Sequence, residues 1–449
     1  MQDRVGNAMI KTWKEVVFED ILPKRKKNRI IGLSFPEQQG NLGLEPSLLT
    51  VLPQGDNVEY SLHNIDFNDE DVLYYACAVY ISGYDEFKSW ALRHDRKKII
   101  VGGYHPTTFP EDFEKYAEKI IIGTCDDFFS TIQQEGQVVK GITNYQNVPR
   151  YDLYDASFNQ QIIPEKLPHE LAISINTSQG CPMRCDFCCS PLMCPSLESK
   201  LISLIEKEVE ILKEEAKERL DKGENVYLFI RDENFPLQKD WKERLSIINR
   251  TGARIYLFAS ANLLNEDMVR YFKANNVYMV CLGLEDITVD YSKNKKLGEA
   301  VKLLKKYGIF TYLSFIVNPL KIIGKEKGKD FYRRLMDRFY ELQPEMICGN
   351  FLMPFRGTKL WDEYYAFVSP EDYKDYDSKS AFLVKNPVVR KKMEFFMFYY
   401  QYLYYTSPFY NENVRKFKEE GKEDTLYLRF EELKEKFVPI YERIWNVRA

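Results

Sequence analysis

Five of the nine cysteines in this 449-residue chain fall between Cys181 and Cys194. Three of them, Cys181, Cys185 and Cys188, have the spacing C-x3-C-x2-C. Thiolates are the usual protein ligands of iron–sulfur clusters, and three at this spacing on one loop can reach three corners of one cubane. Four ligands would close the cluster. Three leave one iron open to an exchangeable ligand, by the logic that separates open catalytic metal sites from closed structural ones. A zinc knuckle would pair a C-x2-C with a distant second pair of Cys or His, and Cys348 and the four histidines offer no such pair. A disulfide framework would spread its cysteines over a small secreted domain. Cys189 directly follows Cys188 and cannot easily ligate the same cubane, so packing is expected of it. Cys194 is either packed likewise or an extra ligand.

The elements that must position this loop are legible as alternation. From Arg29 to about Gly136, short apolar runs alternate with helical stretches, which implies a parallel, doubly wound sheet. The expected strands are Ile30–Leu33, Val58–Leu62, Tyr75–Ile81, Lys98–Val101 and Lys119–Ile122, with a helix over Leu42–Leu52. Periodicity weakens from Gln137 to Glu170. It resumes with strands at Leu171–Asn176, Val226–Ile230, Ile255–Ala259, Val277–Leu282, Phe310–Val317 and Met346–Phe351, separated by amphipathic helices. A full eight-stranded barrel takes about 250 residues, so six strands fit an open, partial (β/α)6 barrel better. The expected fold is thus α/β. A Rossmann-like domain over 1–150 is followed by a connector over 151–170, the barrel over 171–360 and a helical C-terminal domain over 361–449.

Active sites of such barrels lie at the C-terminal strand ends. The residues there are Asp232 and Glu233 after the second strand, Ser260 and Asn262 after the third, Glu285 after the fourth and Asn318 after the fifth. Cys181-Pro-Met-Arg-Cys185-Asp-Phe187-Cys188, placed after the first barrel strand, resembles the cysteine motif of the radical S-adenosylmethionine (SAM) superfamily. Arg231-Asp232-Glu233-Asn234-Phe235 and Gly283-Leu-Glu285-Asp286 are similar to strand-end turns of its cobalamin-class members. The resemblance covers roughly Leu171 to Leu360. It implies a [4Fe-4S] cluster on Cys181, Cys185 and Cys188, with SAM bound to the open iron and cleaved to a 5′-deoxyadenosyl radical. It also implies SAM contacts from Asp232, Glu233, Ser260, Asn262, Glu285 and Asn318, and an external electron donor such as flavodoxin or ferredoxin.

Gly102-Gly103-Tyr-His105-Pro106-Thr107 resembles a turn of the cobalamin-binding domains that precede many radical SAM cores, and Asn41-Leu-Gly43-Leu44 resembles their first helix. This implies that Gly102 and Gly103 face cobalamin, while His105 either contacts cobalamin or substrate or stabilises the turn. The Asp-x-His-x-x-Gly motif that gives cobalt a histidine in other cobalamin proteins is absent, so the domain either binds cobalamin or keeps the scaffold without it.

The whole layout resembles proteusin-type radical SAM peptide epimerases. That implies a peptide substrate, a ribosomal precursor, inverted from L to D at Cα. Inversion needs a hydrogen-atom donor opposite the abstracting radical. Cys348, on the last barrel strand, either points inward and returns that hydrogen or is packed as a small buried hydrophobe. The aromatic run around Tyr399–Tyr405 either lines a peptide groove or packs as helix. The alternative is cobalamin-dependent C-methylation of a peptide or natural product. Net charge of −4 gives no general pull toward nucleic acid or anionic membrane, and no apolar run approaches the length of a membrane helix. The start is polar, without a secretory h-region, so a cytoplasmic location is expected.

Overall fold

In a computed structural model, the structure describes residues 28–36, 47–61, 67–145, 147–153, 170–289, 291, 295–408, 410–412 and 415. Two six-stranded sheets, each wholly parallel, account for most of it.

The first sheet contains β1 (Arg29–Phe35), β2 (Val58–Tyr60), β3 (Val72–Val79), β4 (Ile99–Gly102), β5 (Lys119–Ile122) and β6 (Val138–Lys140), in the order β2-β1-β3-β4-β5-β6. The order reverses between β1 and β3. In open α/β sheets that switch point marks the ligand crevice, outside the carboxyl ends of the strands. Short helices α1 (Tyr84–Ala91), α2 (Tyr104–Thr108) and α3 (Phe128–Ile132) connect the strands. Two expectations need adjustment. Val138–Lys140 is a strand, although it lies in the weakly periodic stretch. It is a three-residue edge with only Val139 buried, too short to show alternation. The expected helix over 42–52 is, where described, a 3-10 turn at Ser47–Thr50; Asn41, Gly43 and Leu44 lie outside the described residues.

The second sheet contains β7 (Glu170–Ile175), β10 (Asn225–Ile230), β11 (Arg254–Phe258), β12 (Val277–Glu285), β13 (Phe310–Val317) and β14 (Met346–Phe351). These strands stand side by side in chain order, and β7 and β14 do not pair with each other. Sequential parallel strands joined by right-handed crossovers put all helices on one face and leave the other concave. A six-stranded open barrel results. Between β7 and β10 come a two-residue ribbon, β8 (Ser178–Gln179) with β9 (Glu198–Ser199), the short helix α4 (Ser190–Met193) and the long helix α5 (Ile202–Asp221). Helices α6 (Trp241–Ile248), α7 (Glu266–Ala274), α8 (Leu297–Lys306) and α9 (Lys325–Leu342) cover the outer face.

Alternation along the strands sorts the side chains. In β10, Val226, Leu228 and Ile230 join the helix-side core, and the half-buried Phe229 faces the other way. In β14, Ile347 and Phe351 are buried in that core while Cys348 and Asn350 are half-buried on the concave side. A C-terminal part follows, with α10 (Lys359–Tyr364) and α11 (Pro387–Tyr405). The tyrosines of α11 fasten it to the barrel. Tyr405 Oη donates to Ile347 O at 2.7 Å and accepts from Ile347 N at 3.0 Å. Tyr404 Oη donates to Pro344 O, and Tyr400 stacks on Tyr332 at 4.3 Å. Of the two expectations for this run, packing accounts for these contacts. Among the described residues no helix is long and apolar enough to cross a membrane.

Candidate active site

The cysteine loop is anchored before its first cysteine. Asp232, at the end of β10, is fully buried. Its carboxylate accepts from Thr177 N at 2.6 Å, Thr177 Oγ1 at 2.5 Å, Ser178 N at 3.1 Å, Ser178 Oγ at 2.8 Å and Gln238 Nε2 at 2.7 Å. Arg244, held by Asp240, donates to Thr177 O at 3.1 Å. Asp232 was expected to contact SAM, yet five donors already occupy both its oxygens. It holds the chain entering the loop instead. Thr177, Ser178, Gln238 and Arg244 were not legible as site residues, because each signals only ordinary polarity until β7 and β10 are paired.

Gly180 comes next, with φ +79°. A Cβ there would lie 2.1 Å from Ser196 O and 2.9 Å from Cys194 Sγ, so only glycine fits. Cys194 is buried and donates to Ser196 O at 3.1 Å, which makes it part of the loop's packing. Cys181 is buried, while Cys185 and Cys188 are half-buried. Burial raises the Cys181 thiol first, and the neighbouring Cys188 and Cys185 add to it. Reciprocal turns, Cys185 N to Met183 O at 3.1 Å and Cys188 N to Cys185 O at 3.0 Å, bring the three together. Among the described residues no three Cys, His, Asp or Glu side chains converge on one point as ligands of a single ion would. A cubane differs from an ion here: each thiolate binds its own iron, so the sulfurs stand apart around the cluster. Three neighbouring thiols on one partly open loop fit that donor set.

Beside the loop, a cavity of about 200 Å³ is lined by Glu233, Phe258, Ala259, Ser260, Ala261, Cys281, Gly283, Glu285 and Ser314. Three of the expected residues, Glu233, Ser260 and Glu285, thus share one cavity at the carboxyl ends of the strands. Glu233 Oε2 is buried without a hydrogen-bond partner. Burial pushes the Glu233 carboxyl up, and the backbone amides of Glu233 and Gly180 offset part of this. Ser260 is held by Asn234, whose Nδ2 donates to Ser260 Oγ at 2.7 Å and whose Oδ1 accepts from Ser260 N at 3.0 Å. Glu285 is buried with φ +59°, directly after a bulge in the β12–β13 pairing. Such a conformation in a non-glycine residue costs about 1–3 kcal/mol and clusters at functional sites. Gly283 makes it feasible, since a Cβ there would lie 2.0 Å from Glu285 Oε1. Two expected residues lie outside the cavity lining. Asn262 Oδ1 accepts from Lys296 N at 3.4 Å. Asn318 is buried, caps its own turn through Leu320 N at 3.1 Å and donates to Tyr364 Oη at 2.9 Å.

Cys348 faces the concave side. Gly283, Ser314 and Cys348 pair in one transverse row across β12, β13 and β14. Phe258, Cys281 and Tyr312 form the row below. Phe258, Cys281 and Ser314 are not marked as site residues in the sequence, although the period-two spacing of Cys281, Gly283 and Glu285 is a usable signal.

The first sheet meets this site. Gly103 has φ +108°, and the hydroxyl of the Tyr104 that follows it lies beside Cys189. Burial raises the Tyr104 hydroxyl, then Cys189 and Glu233 beside it. A Cβ on Gly123, after β5, would lie 3.2 Å from Met193 O in α4. Of the two expectations for His105, stabilising the turn accounts for its contacts. It is fully buried, with Nε2 2.8 Å from Asp112 Oδ2, and the rings of Tyr84, Phe113, Tyr373 and Phe109 surround it at 4.6–5.5 Å. Burial lowers its basicity despite Asp112, so it is a neutral core histidine that fixes the turn.

Residues 175–322 match the Radical SAM superfamily. Bacteriochlorophyllide d C-8(2)-methyltransferase of Chlorobaculum tepidum is 23% identical over 321 residues, 66% of this chain and 67% of that protein. Bacteriochlorophyllide d C-12(1)-methyltransferase of the same organism is 22% identical over 299 residues, 63% of each; the chain spans less than two thirds of that relative. Among solved structures, the radical SAM methyltransferase TsrM from Kitasatospora setae, with cobalamin and a [4Fe-4S] cluster bound, superposes with a TM-score of 0.53. It is 15% identical, over 75% of this chain and 78% of that one. The cobalamin-dependent SAM radical enzyme OxsB gives a TM-score of 0.50 at 12% identity, covering 92% of this chain and 71% of that one. The structures show a shared fold. The cysteine loop, the cavity at the strand ends and the matched model agree that this chain carries a radical SAM domain over residues 175–322, whose chemistry calls for a [4Fe-4S] cluster and SAM.

Proposed function

We propose that this enzyme is a cobalamin-dependent C-methyltransferase acting on a small organic molecule. The observation that carries the reading is the meeting of two strand-end faces. The carboxyl ends of β4 and β5 abut the cysteine loop through Tyr104 and Gly123. Whatever the crevice of the first sheet holds therefore adjoins the cluster loop and the cavity. The two methyltransferase relatives support this reading over the inversion of a peptide residue, and so does TsrM. TsrM has also been solved with tryptophan as substrate, a small molecule rather than a peptide.

The residues present fit the groups this requires. Gly102 presents bare backbone at the crevice, where a Cβ would meet nothing nearer than Ile121 at 3.6 Å, and Gly103 lets the turn pass tight against β3, where a Cβ would lie 3.1 Å from Val79 O. They would hold the face of cobalamin, and His105, turned into the core, would leave cobalt without an imidazole from this turn. The bound cofactors supply the radical and the methyl group. The chain's own part is placement. Cys181, Cys185 and Cys188 hold the cluster. Glu233 and Glu285, carboxylates in a shielded cavity, suit the ammonium and hydroxyl groups of SAM, and Ser260 offers a hydroxyl fixed by Asn234. An external one-electron donor of the flavodoxin or ferredoxin type completes the cycle.

The test is an optical titration of anaerobically reconstituted full chain with hydroxocobalamin. The expected result is stoichiometric uptake, lost in Gly102→Leu while the cluster band persists. Absence of uptake by the parent overturns methylation. In that event the inward-facing Cys348 favours the second reading, hydrogen-atom return in an epimerisation. That reading predicts deuterium at the inverted carbon in D2O and failure of inversion in Cys348→Ala.

A further inference from the structure

The concave face of the barrel carries a cation whose purpose the cluster and SAM do not explain. Lys379 lies in the segment between α10 and α11, in a turn held by Asp377, which accepts from Lys379 N and Ser380 N. Its side chain leaves that turn and reaches across to β14. There Lys379 Nζ donates to Gly349 O at 2.8 Å and Asn350 Oδ1 at 3.1 Å, with Cys348 Sγ at 3.5 Å. None of these acceptors is a carboxylate, and no carboxylate among the described residues makes an ion pair with this amine. A partly buried cation without a counter-charge is costly unless something supplies one. The thiol is the weakest acceptor of the three, so it is the contact an incoming anion would displace.

The surroundings indicate what accompanies that anion. Asn350 Nδ2 donates to Ser314 Oγ at 3.3 Å, and Ser314 lines the cavity beside the cluster loop. The cation is therefore two hydrogen bonds from the cavity wall. The same concave face is aromatic. Phe229 stacks on Tyr256 at 4.4 Å, Tyr256 lies 5.9 Å from Phe258 and 6.2 Å from Tyr312, and the Tyr312 hydroxyl lies beside Cys348. Aromatic side chains favour planar, π-rich partners in stacked or edge-on arrangements, and a lysine at the edge of such a surface favours a carboxylate through charge-assisted hydrogen bonds.

We infer that Lys379 is the anchor for a carboxylate on the substrate, and that the substrate is an aromatic or otherwise planar carboxylic acid whose ring lies against Phe229, Tyr256, Phe258 and Tyr312. The inference rests on the proposed function only in placing substrate in this barrel; it concerns binding and does not depend on methyl transfer.

The experiment compares 3-phenylpropionate with 3-phenylpropionamide, a pair equal in ring and nearly equal in shape, binding to cluster-reconstituted full chain by saturation-transfer NMR. The parent is expected to bind the acid at millimolar concentration and to prefer it by about tenfold or more. Lys379→Gln should bring the two within about twofold by weakening only the acid, with amide binding unchanged as the sign that the cavity is intact. Lys379→Arg, which keeps the charge and the fold of the turn, should keep the preference. Equal binding of acid and amide to the parent overturns the assignment, as would binding of neither or an undiminished preference in Lys379→Gln. Because no cobalamin is present, failure here leaves the methylation reading standing. Loss of cobalamin uptake with a retained acid preference would remove methylation and leave the anchor.

Discussion

Glu233→Gln should make the protein more stable and a poorer enzyme. In the structure, Glu233 lines the cavity with one carboxylate oxygen buried and without a partner. A buried polar atom left unsatisfied costs about 1–3 kcal/mol, and more when charged. Glutamine keeps the shape and removes the charge, so stability should rise by about that amount where the glutamate is ionised. The sign with pH follows from the raised carboxyl. A carboxyl raised in the folded state titrates later there than in the unfolded chain, so the unfolded state binds fewer protons and stability falls as pH rises through the folded value. Below the usual glutamate range both states are protonated and the penalty is absent. The gain from Glu233→Gln should therefore be full at mildly alkaline pH and should fade toward the ordinary carboxyl range. The assay is urea unfolding of the cluster-reconstituted protein across that pH range, with SAM binding measured by equilibrium dialysis in parallel. SAM should bind the variant about tenfold or more weakly, as expected when a charge-assisted hydrogen bond is lost. A variant less stable than the parent at alkaline pH, or one that binds SAM as tightly, would refute the reasoning that this carboxylate awaits a cation.

Other substitutions separate the parts of the site. Changing Cys181, Cys185 and Cys188 together to Ala should abolish the cluster, seen as loss of iron and of the visible band, and with it reductive formation of 5′-deoxyadenosine. Asp232→Ala should destabilise the fold by about 3–5 kcal/mol, since five donors lose a buried charge, and should lower the iron content because the entry to the loop is released. Gly180→Ala should also impair cluster assembly, because its Cβ would lie 2.1 Å from Ser196 O; iron analysis after reconstitution checks both. Tyr104→Phe, which removes the hydroxyl beside Cys189, should leave iron stoichiometry intact but change the electron paramagnetic resonance signal of the reduced cluster.

The architecture was readable because it is repetitive. Six strands of the second sheet recur with amphipathic helices between them, and the structure reproduces Phe310–Val317 and Met346–Phe351 at their expected limits. The signal failed where an element is short. Val138–Lys140 offers three residues and one buried side chain, below what alternation can reveal. The long helix α5 begins only at Ile202, eight residues after Cys194. Before it, Glu198–Ser199 pairs with Ser178–Gln179 to close the cysteine loop, a long-range pairing that outweighs helical propensity.

The site was legible to the extent that function lies in residue type and spacing, and illegible where it depends on partnership. The three cysteines carry their chemistry in their spacing. Glu233, Ser260 and Glu285 could be placed because strand ends point to barrel mouths. Asp232 sits one residue from Glu233 and is of the same chemical kind, yet the two differ completely in the structure. One carboxylate takes five hydrogen bonds in the interior, while the other leaves an oxygen unpaired at the cavity. The direction of each side chain follows from how β7 and β10 pair, Ile175 beside Ile230, so that the next residues of both chains cross-link below the cavity. The same argument applies to His105 and Lys379. His105 sits in a turn resembling a ligand-binding one and is locked in a cage of rings by Asp112, Tyr84 and Tyr373. Lys379 has no neighbours in sequence that mark it, being one lysine among many in a charged tail. It gains a role only because its turn sets it over β14 beside Cys348. A reactive group is recognisable in sequence when its partners are close in the chain, and this barrel draws its partners from strands and segments far apart in it.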